Sequence, residues 1–154
     1  MTSLNHNLFK VNEYFSLFAY HHPFLLFIVV VQFGALEGIS GLICFVCATT
    51  GAKYYYLRAI LHNYDDDKAV EILSNIVPAL GADSQILIDE VVMPETGAHA
   101  WPAGLDMQMY TLFGAIERTG AQWDAILERA GLQPVAVKKY APVVGSSVIF
   151  AARK

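Results

Sequence analysis

His62 closes an apolar, aromatic run, Lys53 to Leu61, and Glu90 lies near the end of the next apolar run, Gln85 to Val92. A histidine, with an ordinary pKa near 6.5, can take a proton at neutral pH, and a carboxylate beside it fixes its tautomer and stabilises the imidazolium that forms. If both runs are parallel strands, these residues project into one crevice beyond the strands' carboxyl ends, where open α/β sheets bind ligands. Spacing alone is thin support, because one His and one Glu at strand ends are often only loop residues.

The elements that would position this pair can be read around it. Lys53 to Ile60 is rich in tyrosine and aliphatics and reads as a strand ending near Leu61. Asp65 or Asp66 can cap a helix whose Val70, Leu73, Val77 and Leu80 share one face, with Pro78 and Gly81 ending it. Gln85 to Val92 is then the second strand, and strand, helix and strand in this span predict a crossover between parallel neighbours. Leu105 to Phe113 has helical spacing, and Thr119 with Gln122 forms a capping box for a helix through Ala130, with Trp123, Ile126, Leu127 and Ala130 on its buried face and Gly131 after it. Val135 to Tyr140 and Ser146 to Ala151, separated by Pro142 and Gly145, predict an antiparallel hairpin at the sheet edge. No internal repeat or low-complexity linker interrupts the chain.

The chain has 154 residues, enough for one domain with its own core. It is 55% hydrophobic and 16% charged, greasier than an average soluble domain. A formal charge of -4 leaves no basic footprint, which argues against nucleic acid as a partner. Cys44 and Cys47 form a CxxC inside an apolar run, but with no second pair and no histidine at ligand spacing they read as buried thiols. Between Phe24 and Thr49 the only charged residue is Glu37, so the stretch exceeds the roughly 20 apolar residues needed to cross a bilayer. Glu37 costs about 2.5–3.5 kcal/mol there, and Gly34, Gly38 and Gly41 weaken a helix, so a membrane anchor is an alternative and not the favoured reading. A secretory leader fits less well, since only Lys10 supplies basic charge before a run that begins late.

The runs YYYLRAILHNYDDDKAVEILSNIVPAL, ILIDEVVMPE, LDMQMYTLFGAIERTGAQWDAILERAGL and SSVIFAARK, in that order, resemble the C-terminal part of the caffeate-type, class II O-methyltransferases, above all the fungal ones of secondary metabolism. The resemblance covers about Gly51 to Lys154. It implies an α/β fold: a partial Rossmann-like methyltransferase sheet with a C-terminal antiparallel hairpin, preceded by an apolar helical or irregular segment over residues 1–50. It implies S-adenosylmethionine as cofactor, a small-molecule hydroxyl acceptor, and no metal. By position, His62 matches the family's general base, Glu90 and Glu117 match the carboxylates flanking it, and Arg58 and Tyr64 fall where the family contacts the cofactor. Met107 and Met109 fall on the helix that helps line the acceptor pocket, although core packing explains methionines there equally well. Asn63 stands where the family has aspartate, and Tyr64 where it has tryptophan.

The resemblance fails upstream. The family's glycine-rich cofactor loop has no match: Gly34, Gly38 and Gly41 have the wrong spacing and follow no acceptable strand and helix plan. Residues 1–50 also have no room for the helical dimerisation domain that the resemblance would place there. The sequence therefore predicts a divergent apolar segment over 1–50 and the C-terminal part of a catalytic domain over 51–154. Three readings stay open: a shortened cytoplasmic O-methyltransferase, an inactive remnant that pairs with itself or a full-length relative, and a small membrane-associated protein.

Overall fold

The computed structural model describes residues 28–31 and 50–154. Ahead of His62, alternation decides the strand: in β2, Tyr54–Arg58, Tyr55 and Leu57 are buried while Tyr54 and Tyr56 are half-covered and Arg58 is exposed. β3, Gln85–Met93, runs parallel beside it with Tyr55 opposite Ile86 and Leu57 opposite Ile88. Between them lies α1, Asp66–Ile76, so the strand, helix and parallel strand predicted from the sequence are present.

Asp65 is the cap of α1, its side chain accepting the Lys68 N–H at 2.8 Å. The buried stripe is Ala69, Ile72, Leu73 and Ile76, one step round from the predicted face, with Val70 and Val77 only partly covered. Pro78 cannot continue the helix, and the chain leaves it through a 3-10 turn, Val77–Ala79. α3, Gly120–Arg129, has the predicted capping box of Thr119 and Gln122 and buries Trp123, Ile126 and Leu127, with Gly131 beyond its end at φ 77°. α1 and α3 cover the sheet face carrying Tyr55, Leu57, Ile86, Ile88, Ile149 and Ala151, and together they form one core. Leu73, Ile86, Ile88 and Leu127 are almost wholly excluded from solvent, each worth about 1.5–3 kcal/mol of burial.

The hairpin is β5, Leu132–Ala141, with β6, Ser146–Arg153. β6 pairs antiparallel with β3, which leaves β5 at the sheet edge. β4, Arg118–Thr119, is a two-residue strand on the far end of β3, with Arg118 opposite Val92. On the other side of β2 lies β1, Ile28–Val31, parallel to it, so the sheet order is β1-β2-β3-β6-β5. The apolar stretch read as helical or irregular thus contributes a parallel strand just ahead of Gly34, where the sequence offered no strand. Gly34, Gly38, Gly41, Cys44 and Cys47, and the rest of that stretch, lie outside the described residues.

α2, Ala100–Phe113, begins five residues before the predicted Leu105, because Pro102 is tolerated in a first turn. Only Pro102 and Met109 of it are buried. Among the described residues, no helix is long and apolar enough to cross a membrane.

Candidate active site

β2 ends at Arg58, short of the predicted Leu61, because Ala59 adopts φ 50° and turns the chain off the ladder. A 3-10 turn, Leu61–Asn63, follows and carries His62. The break frees two successive N–H groups, those of Ile60 and Leu61, and both donate to Oε1 of Glu90, at 2.9 and 2.8 Å. Glu90 is buried on β3, so the carboxylate replaces the partners that a longer strand would have found.

The structure brings His62, Glu90 and Glu117 together. Nδ1 of His62 lies 2.7 Å from Oε1 of Glu117 and 3.8 Å from Oε2 of Glu90. Glu117 is itself buried and positioned by its backbone N–H, which donates to Oδ1 of Asp106 on α2 at 2.8 Å. Its Oε2 is buried with no hydrogen-bond partner among the described residues. With Nδ1–H donated to Glu117, Nε2 keeps its lone pair and is the basic nitrogen of the ring.

Burial opposes charging of His62, but the hydrogen bond to Glu117 and the charges of Glu90 and Glu117 outweigh it and raise its pKa above 6.5. Burial also pushes Glu90 up to about 7, against the pull of His62 and of the two backbone N–H groups. Both shifts have one sense: the cluster retains protons. The three donor atoms lie within 4.8 Å of one another, close enough to share a divalent ion, although Nδ1 and Oε1 of Glu90 already have partners.

The remaining predicted residues divide. Arg58 ends β2 with 61% of its side chain exposed, its Nε 3.6 Å from Oδ2 of Asp89. Tyr64 packs partly against the core, and burial raises its pKa against the opposing charge of Lys68. Asn63 Nδ2 donates to the carbonyls of Ala59 and Ile60 at 3.2 and 3.3 Å, bracing its own turn. Met107 and Met109 do not share a face: Met107 is 63% exposed and Met109 6%.

Sequence reasoning passed over Arg118 and Asp89. Arg118, wholly buried, donates from Nη1 to the Leu61 carbonyl at 2.9 Å, from Nη2 to the Tyr64 carbonyl at 2.7 Å, and from Nε to Oδ1 of Asp66 at 2.9 Å. Its guanidinium stacks on Trp123, 5.3 Å from the ring centre. An arginine directly after Glu117 and a run of three aspartates were its visible signals. Asp89, buried beside Arg58, accepts from the hydroxyls of Tyr56 and, at 2.8 Å, Tyr140. Burial and this carboxylate push Tyr56 up to about 12 and raise Tyr140. A recess of about 730 Å³ is lined by Gly51, Lys53, Gly81, Ser84 and Gln85 at the opposite, amino ends of β2 and β3, away from His62 and its carboxylates.

A profile of the O-methyltransferase domain matches residues 45–133. Demethylsterigmatocystin 6-O-methyltransferase stcP of Emericella nidulans is 48% identical over 83 residues, 54% of this chain and 41% of that protein. O-methyltransferase lepI of Aspergillus flavus is 46% identical over 101 residues, 65% of this chain and 26% of that protein. Among solved structures, LepI in complex with SAM superposes with a TM-score of 0.68 at 40% identity, over 70% of this chain and 28% of the other. Mitomycin 7-O-methyltransferase MmcR gives 0.65 at 28% identity, over 69% and 31%. The chain spans about a quarter to two fifths of the length of these curated relatives.

Proposed function

The chain belongs to the O-methyltransferase family, and on that premise we propose that it serves methyl transfer from S-adenosylmethionine to a hydroxyl of a small aromatic or polyketide-like secondary metabolite, with His62 as general base. In this reading residues 51–154 are the C-terminal part of a catalytic domain and residues 1–50 a divergent apolar segment. The observation that carries it is the convergence of His62, Glu90 and Glu117 just past the point where the parallel pairing of β2 with β3 ends. The names of the relatives support the acceptor class, and the SAM complex of LepI supports the cofactor.

Two of the described residues suit that cofactor. Arg58 offers an exposed cation for its carboxylate, and Tyr64 an aromatic face for its adenine. When bound, S-adenosylmethionine supplies a methyl group on a positively charged sulfur. A phenol, with pKa near 10, is a poor nucleophile until its proton leaves. Nε2 of His62 takes that proton, which is typically worth about 10²–10⁴ in rate. Glu117 holds Nδ1 and stabilises the imidazolium, and Glu90 fixes the turn and adds negative charge. Met107, exposed on α2, and Asn63, beside the base, face the acceptor side in this reading.

The test is a methyl-transfer assay with labelled S-adenosylmethionine and phenolic acceptors, alongside calorimetry of cofactor binding. His62→Ala should cut turnover by about 10²-fold or more with cofactor affinity unchanged. Equal turnover in the variant would sink the assignment.

A further inference from the structure

We propose that Arg118 is a positioning residue for His62: its buried guanidinium clamps the turn on both sides of the histidine and so sets the ring against Glu117. The proposal rests on the reading of His62 as the base, but its test is separate from that of the reading.

The turn has no regular element to hold it. It leaves β2 at a residue of positive φ, spans three residues, and reaches α1 only at Asp66. Its N–H groups at Ile60 and Leu61 are held by Glu90 from β3. Its carbonyls at Leu61 and Tyr64, one residue before and two after His62, are held by Arg118. The third contact, to Asp66, ties the same guanidinium to the first turn of α1. One planar group thus fixes three points in fixed relative directions, which a flexible ammonium cannot reproduce.

The partner of the histidine ring is the residue before Arg118. Glu117 and Arg118 therefore act as a unit: one grips the ring and the other grips the backbone that carries it, so their spacing is set by a single peptide bond. Trp123, under the guanidinium, and the pairing of Arg118 with Val92 of β3 keep the clamp in place. Release of the clamp leaves Glu117 where it is and lets the turn drift, so the cost falls on the 2.7 Å contact between Nδ1 and Oε1. The charged groups around the ring are Glu90 on β3 and Glu117 before β4, with Asp106 on α2 and Asp66 on α1 one contact further out.

The experiment is side-chain nitrogen NMR of the full 154-residue chain, with His62→Gln identifying the His62 signals among the five histidines. In Arg118→Lys, the His62 pKa should fall toward 6.5 and the ring should lose its preference for the Nδ1-protonated tautomer. Asp66→Ala, at the half-exposed end of the clamp, should give a smaller shift of the same sign. A folded Arg118→Lys with lower thermal stability but unchanged His62 pKa and tautomer would overturn the proposal and leave Arg118 as core support. If Arg118→Lys does not fold, Asp66→Ala decides alone, and an unshifted His62 overturns the proposal. The His62→Ala methyl-transfer result bears on the base and not on this clamp.

Discussion

His62 and Glu117 meet at 2.7 Å through Nδ1 and Oε1, although 55 positions separate them in the chain. Replacing the carboxylate with an amide tests what that contact contributes. Glu117→Gln should lower the His62 pKa. Because the folded value stands above 6.5, the stabilisation from the charged pair is fully present below pH 6.5 and is lost as pH rises through the folded value. Urea unfolding should therefore find the variant weakened at pH 5.5 and closer to the parent at pH 8.5. Equal losses at both pH values would show that the ion pair contributes nothing.

Glu90 gives a second pH dependence. Its folded pKa of about 7 exceeds the ordinary 4.5, so between these values the folded chain holds a proton that the unfolded chain releases. Its contribution is most favourable below pH 4.5 and declines as pH rises through 7, by about 3 kcal/mol at most. Glu90→Gln keeps an oxygen for the Ile60 and Leu61 N–H groups and should flatten thermal stability across that window. A melting profile as steep as that of the parent would refute the assignment.

Gly145 and Gly114 both have positive φ, 77° and 66°, yet they should respond differently to alanine. At Gly114 a Cβ meets nothing within 4 Å, so the cost is the backbone term of about 1–2 kcal/mol. At Gly145 it would lie 3.1 Å from Val91 Cγ1 and 3.2 Å from the Val92 carbonyl oxygen, adding roughly 1–3 kcal/mol of overpacking. Denaturant midpoints should rank Gly145→Ala below Gly114→Ala, and the reverse order would contradict the packing described.

The two methionines of α2 make the last comparison. Met109→Ala should cost about 2–5 kcal/mol, and Met107→Ala should stay within about 0.5 kcal/mol. If Met107 touches the acceptor, its variant changes KM in the methyl-transfer assay while its unfolding curve overlays that of the parent.

The order of elements was legible in the sequence because each carried a local signal: tyrosine-rich alternation for β2, Asp65 and Thr119 as caps, and Pro142 with Gly145 between the hairpin strands. His62 and Glu90 were legible as a pair because one follows, and the other lies in the later half of, two strands that the helix between them makes parallel. The early end of β2 was not, since Ala59 looks like any strand residue, and the carboxylate that takes up the N–H groups freed after it, Glu90, comes from another strand. Arg118 was harder to read: its place directly after Glu117 and the run of three aspartates hinted at a partner, but arginines are mostly exposed, and its complete burial depends on the turn and Trp123 that close around it. β1 was hidden because a continuous apolar run does not separate a buried strand from a helix.

The grip of Arg118 on Leu61, Tyr64 and Asp66 joins residues 52 to 57 positions apart. On a ribosome, the stretch bearing the histidine emerges several seconds before the arginine does, at roughly 5–20 residues per second. During that interval β2 and α1 have their own local signals, but the turn between them has no partner for its carbonyls. The order of synthesis thus delivers β2, α1 and β3 before the group that fixes the turn, and α3, β5 and β6 only after it, so the carbonyls of Leu61 and Tyr64 wait for Arg118 while part of the core is still to come.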